Sequence, residues 1–191
     1  MIVTWLPSWL STDLPLISGF LTWIIVLSWL WRSGWKIQRR YFIEATQKPL
    51  TRNAIVWSAG IVGAVFFVAA QMRPGMPGVM TVAMIGALSA YVDARTHRLP
   101  NAYTVAMGIG VVLGVIVGGV ISPLWQERLL GALIGALIWF VPIALLNRLP
   151  GGMGGGDVKL APVLGALVGS VGLHAAFFAL ALSFVSAGVA A

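Results

Sequence analysis

From 102 to 121 the chain runs through AYTVAMGIGVVLGVIVGGVI, twenty residues without one charged side chain. That length matches the ~20 apolar residues a helix needs to cross a hydrocarbon core about 30 Å thick. In lipid no water is available to the backbone, so N–H and C=O groups must pair within a helix or a closed barrel. The segment lacks the period-2 alternation of a barrel strand, which leaves the helix. The same pattern recurs, giving apolar segments at 14–31, 54–71, 77–92, 102–121, 128–146, 158–170 and 171–190. The last two abut at Gly169–Gly172, so the expected fold is all-α: a polytopic helical integral membrane protein with about six to seven transmembrane helices.

Composition agrees. Charged residues make up 9% of the chain, against about 25% in soluble domains, so a lipid bilayer is the expected surroundings. The absence of cysteine excludes disulfides, cysteine–zinc sites and thiol nucleophiles. The net charge of +7 reads as membrane orientation, and no nucleic-acid partner is expected. Ten of the twelve Lys/Arg fall in three alternate loops. Arg32, Lys36, Arg39, Arg40, Lys48 and Arg52 lie in 32–53, Arg95 and Arg98 in 93–101, and Arg148 and Lys159 in 147–159. The opposite loops hold Arg73 and Arg128. The positive-inside rule puts the three basic loops in the cytoplasm and the N-terminus outside.

Residues 1–13 lack a basic start and contain Pro7 and Asp13, so the first span is expected to be retained. This divides the chain into an N-terminal helix with its basic loop, 1–53, and a membrane domain, 54–191. The loop 32–53 is too short for a core and is expected to extend a helix along the membrane surface. The chain stops at Ala191 inside an apolar run, as a truncated C-terminus would. Gly110, Gly114 and Gly118, and likewise Gly131 and Gly135, recur four apart, the spacing at which helices approach closely in lipid. Trp5, Trp9, Trp31, Trp35, Trp57 and Trp125 stand near segment ends as an interfacial belt.

There are five carboxylates. Asp13, Glu44 and Glu127 lie in or beside loops and read as solvated, outside the chemistry. Asp93 and Asp157 both fall at the expected cytoplasmic membrane edge, where an ionisable group tends to face the interior and to have a partner or a function. The plainer alternatives are a helix-end pairing of Asp93 with Arg95 or Arg98, and an N-cap role for Asp157. Before Asp157 runs the tract Gly151, Gly152, Met153, Gly154, Gly155, Gly156. Glycines permit unusual backbone conformations and close approach of another chain, so an extended peptide could pair with this backbone. No Gly-Lys-Ser/Thr follows, which excludes a phosphate-binding P-loop. Pro100 and Asn101 are expected to end the first loop and cap the next helix. His97 reads as a solvated loop residue and His174 as a packed helix residue. No metal site is expected, for want of a third ligand.

The stretches Asp93-Ala-Arg-Thr-His-Arg-Leu-Pro-Asn101 and Gly152-Met-Gly-Gly-Gly-Asp-Val-Lys-Leu160 resemble the type IV prepilin peptidases, and Gly154-Gly155-Gly156-Asp157 fits the G-x-G-D signature of intramembrane aspartyl peptidases. The 64-residue interval between the aspartates leaves room for two helices, as that family requires. The resemblance covers about residues 77–170. It implies a membrane-embedded aspartyl endopeptidase of the prokaryotic cytoplasmic membrane, cutting the leader of prepilin or pseudopilin substrates after a glycine at the cytoplasmic face. Asp93 and Asp157 match the catalytic pair, with Gly154, Gly155, Gly156, Pro100, Asn101 and Lys159 binding substrate or shaping the loops. Bifunctional members carry a cysteine-rich segment and also N-methylate; a cysteine-free chain looks more like the short peptidase-only members serving Flp/Tad-type pili. Two carboxylates sharing one proton would activate water and protonate the scissile carbonyl, without a cofactor.

Three rival readings remain. A presenilin or signal-peptide-peptidase type protease shares G-x-G-D, but its first motif is Tyr-Asp, whereas Val92 separates Tyr91 from Asp93 here. A proton or cation transporter would use the aspartates near the midplane rather than at one edge. The third is an inactive assembly subunit of a secretion machine.

Overall fold

The computed structural model describes residues 8–70, 75–122, 124–150 and 154–190. Each expected apolar segment is a helix, and no strand occurs among the described residues. Packing divides the chain into two units, Met1–Ile121 and Ser122–Ala191.

The first unit begins with α1 (Ser8–Trp29), which passes through a π turn at Leu30–Gly34 directly into α2 (Trp35–Glu44). Three further helices follow: α3 (Arg52–Ala69), α4 (Met76–Thr96) and α5 (Asn101–Ile121). Helix α4 lies at the centre, packed by α1, α3 and α5. Its buried Met76, Met80 and Met84 recur every four residues, and their unbranched thioether chains fill uneven gaps between helices. Gly110 and Gly114 let α5 approach α4. A Cβ on Gly114 would stand 2.8 Å from the Gly78 nitrogen and 2.9 Å from the Gly75 carbonyl oxygen, while Gly110 faces the Thr81 side chain. The Thr81 hydroxyl is satisfied within its own helix by the Pro77 carbonyl. Helix α1 meets α3 through Trp23, whose ring stacks on Phe67 at 6.2 Å over the space left by Gly63.

The second unit holds α6 (Trp125–Asn147), α7 (Gly155–Gly169) and α8 (Leu173–Ala190). Glycines at matched spacing on α6 and α7 face one another. A Cβ on Gly135 would lie 2.3 Å from the Gly165 carbonyl oxygen, and one on Gly131 2.4 Å from that of Gly169. Below this crossing Trp139, Ile143 and Ala161 form a small core. The Trp139 indole N–H donates to the Ala176 carbonyl at 3.0 Å, tying α8 to α6.

Large apolar side chains point outward on both units, among them Ile25, Ile61, Ile109, Ile116, Leu133 and Phe178. In water such a surface would aggregate, whereas a bilayer can solvate it. Among the described residues, five helical stretches are long and apolar enough to cross a membrane: Asp13–Glu44, Arg52–Ala69, Met76–Thr96, Asn101–Ile121 and Trp125–Asn147. Helix α7, at 15 residues, is shorter, as is the apolar stretch Leu173–Ser186. The basic loop does extend a helix, but the buried face of α2, Gln38 and Phe42, packs on this protein. Of the tryptophan belt, Trp31, Trp57 and Trp125 are exposed; Trp5 and the Trp9 side chain lie outside the described residues. His174 is exposed in the first turn of α8 rather than packed.

Candidate active site

Asp93 belongs to the first unit. It does not open the loop, as expected from the sequence, but sits inside the last turn of α4, where its carbonyl accepts the His97 N–H at 2.7 Å. The helix then ends because His97 turns left-handed at φ 51°, ψ 34°. Asp93 is half-buried. Among the described residues neither nearby arginine pairs with it. The Arg95 guanidinium stands over the Tyr91 ring at 5.8 Å, and Arg98 bonds Glu44 at 3.1 Å. The helix-end ion pair that would have made Asp93 merely structural is therefore not formed.

The loop after Asp93 is short and well held. The Thr96 hydroxyl donates to the Val92 carbonyl at 2.8 Å. Pro100 is fully buried, and its carbonyl accepts the N–H groups of Tyr103 and Thr104 at 3.0 and 3.3 Å. Pro100 thus starts α5 with its backbone oxygen, while Asn101, expected as the cap, is the first residue of the helix.

Asp157 belongs to the second unit. It lies exposed in the first turn of α7, its N–H donating to the Gly154 carbonyl at 3.1 Å. Gly154, not Asp157, is the N-cap residue. The positive end of the α7 dipole favours a negative charge in this turn. Lys159 is exposed two residues further on. Gly154 adopts φ −65°, ψ 149°, open to any residue, and Gly155 and Gly156 are helical. No special backbone conformation explains these three glycines. What they supply is absence of bulk: a Cβ on Gly155 would have no neighbour within 4 Å. Gly151, Gly152 and Met153 lie outside the described residues. No three His, Asp or Glu side chains gather as a metal-ligand set among the described residues.

The sequence reading missed the grip that α2 and its following turn hold on the end of α4. Gln38 is fully buried, donating to the Leu50 carbonyl at 3.0 Å and accepting the Leu50 N–H at 3.3 Å. The Gln47 side-chain amide donates to the Arg95 carbonyl at 2.8 Å. Glu44, read as solvated, accepts from Arg40 at 2.9 Å and from Arg98 at 3.1 Å. The one signal in the sequence was Gln38 and Phe42 four residues apart, a face with no evident use in a basic loop.

A profile of the type IV leader peptidase family matches residues 78–191. The chain is similar to a Bacillus subtilis (strain 168) protein named prepilin leader peptidase/N-methyltransferase, with 34% identity over 128 residues, 63% of this chain and 48% of that protein. It therefore spans about half the length of that relative. No solved structure matches.

Proposed function

The chain belongs to the type IV leader peptidase family, and from that premise we propose that it is an aspartyl endopeptidase removing the leader of type IV prepilins or pseudopilins at the cytoplasmic membrane face, with Asp93 and Asp157 as the catalytic pair. The observation that carries this reading is the state of Asp93: a half-buried carboxylate at a helix end whose two adjacent arginines are both engaged elsewhere. A carboxylate kept at membrane depth without a salt bridge is costly unless it has work to do. Its proposed partner, Asp157, opens α7 after two intervening helices, α5 and α6, so alternating spans return the chain to the same membrane side.

In the proposed reaction one carboxylate takes a proton from water as that water attacks the peptide carbonyl, and the other protonates the carbonyl oxygen. The tetrahedral intermediate then collapses, with proton transfer to the leaving amine. Asp157 lies at the positive end of α7 and Asp93 at the negative end of α4. The open backbone at Gly154 and Gly155 offers an extended substrate an approach free of side chains. Pro100 and Asn101 shape the loop behind Asp93, and Lys159 borders Asp157. The glycine-directed cut and the peptidase-only activity rest on the motif resemblance.

The test is cleavage of a prepilin in proteoliposomes. Asp93→Asn and Asp157→Asn should each lose cleavage by at least about a thousandfold while inserting normally. Substantial activity in either variant would remove the paired-carboxylate mechanism.

A further inference from the structure

We propose that α2 and the turn after it act as a splint on the α4–α5 corner, with Glu44 and Gln47 as positioning residues for Asp93; this rests on the reading of Asp93 as catalytic. Four contacts grip the chain on both sides of that residue. Before it, the Phe42 ring stacks on Tyr91 at 6.0 Å and 17°. After it, Gln47 holds the Arg95 carbonyl at 2.8 Å and Glu44 holds Arg98 at 3.1 Å. One helical turn into α5, the buried Tyr103 hydroxyl donates to the Gly34 carbonyl at 3.0 Å, at the root of α2. Asp93 itself is untouched by any of them.

The backbone of the splint is held under strain. A left-handed residue that is not glycine follows each helix: Thr46 at φ 55°, one residue past the C-cap of α2, and His97 at φ 51°, the C-cap of α4. A β-branched residue in that region is a rare outlier, and such outliers persist where surrounding structure fixes them, often beside functional sites. The turn at Thr46 aims Gln47 across to α4. Its strain is sustained by the Thr46 N–H bond to Ile43 at 3.0 Å, the Gln47 N–H bond to Phe42 at 2.9 Å and the buried Gln38–Leu50 pair. A helix end normally frays; here the final turn of α4, which carries Asp93, is tied to a second helix end. A carboxylate that must meet a peptide carbonyl loses rate steeply when misplaced by about 1 Å.

The experiment uses the full chain in proteoliposomes with a prepilin substrate. Glu44→Gln combined with Gln47→Leu should lower kcat roughly three- to tenfold, the scale of one exposed ion pair and one hydrogen bond. KM and the thermal unfolding midpoint should stay near the parent's. Glu44→Gln and Arg98→Gln should be non-additive, the double variant losing no more than either single one. A parent-like kcat in the Glu44/Gln47 variant, additive losses for Glu44 and Arg98, or a fall in kcat matched by lost stability would overturn the splint. Asp93→Asn separates the two readings: if it is inactive while the Glu44/Gln47 variant is fully active, only the splint fails; if it cleaves, the proposed chemistry fails first.

Discussion

His97 occupies a backbone position that suits glycine better than histidine, since a Cβ in the left-handed region costs about 1–2 kcal/mol. His97→Gly should therefore leave the unfolding midpoint in detergent unchanged or raised, and His97→Val should lower stability by about 1–2 kcal/mol. Both should still cleave prepilin if the imidazole, exposed at the helix end, has no part in the chemistry; a stable but inactive His97→Gly would give it one. Gly155 is the opposite case. Its backbone is helical and its surroundings within the unit are open, so Gly155→Val should fold with a change of less than about 1 kcal/mol. Lost cleavage in that folded variant is the expected result, because added bulk would obstruct the proposed approach of substrate. Normal cleavage would make the tract a plain linker. At this scale the two candidate aspartates stood out in the sequence because so few carboxylates are present. The engagement of Arg98 was not legible, because its partner is a glutamate 54 residues away.

Between elements, small residues do for these helices what large apolar residues do in a water-soluble core. Lipid tails solvate leucine as well as a neighbouring helix does, so association relies on close backbone packing. At the α6–α7 crossing the atom facing Gly135 is a backbone carbonyl, which cannot swing aside. Gly135→Val should force the helices apart and lower stability by about 1–3 kcal/mol, read as a reduced unfolding midpoint and faster proteolysis of the second unit. Gly60→Ala is the control: the new methyl would meet only the Leu27 Cδ2 at 3.9 Å, so stability should hold or improve through helix propensity. The four-residue spacing of Gly131 and Gly135 announced a contact face in the sequence. Which helix it contacts was not written there, because Gly165 and Gly169 repeat the same spacing and any small-residue face fits any other.

For the molecule as a whole, the basic loops argue one orientation. With no native cysteine, single cysteines at Arg39 and Glu127, both exposed, should react with an impermeant maleimide only from the cytoplasmic and only from the opposite side respectively. The reverse pattern would put the proposed site on the wrong face. What the sequence determined by itself was everything governed by composition and period: a membrane environment, the existence and approximate ends of the helices, and the two motif segments. Those follow from local rules, since a chain in lipid must bond its own backbone and a run of about 20 apolar residues has essentially one way to do so. The tertiary structure decided what depends on contacts between distant residues. It moved Asp93 into a helix turn, started α5 on the Pro100 carbonyl, left Gly154, Gly155 and Gly156 in ordinary conformations, and set the buried Phe42 of α2 against Tyr91 beside the α4–α5 corner. Within a helix the i,i+4 spacing announces neighbours such as Arg40 and Glu44, but partners far apart along the chain are chosen by three-dimensional proximity, which no spacing carries.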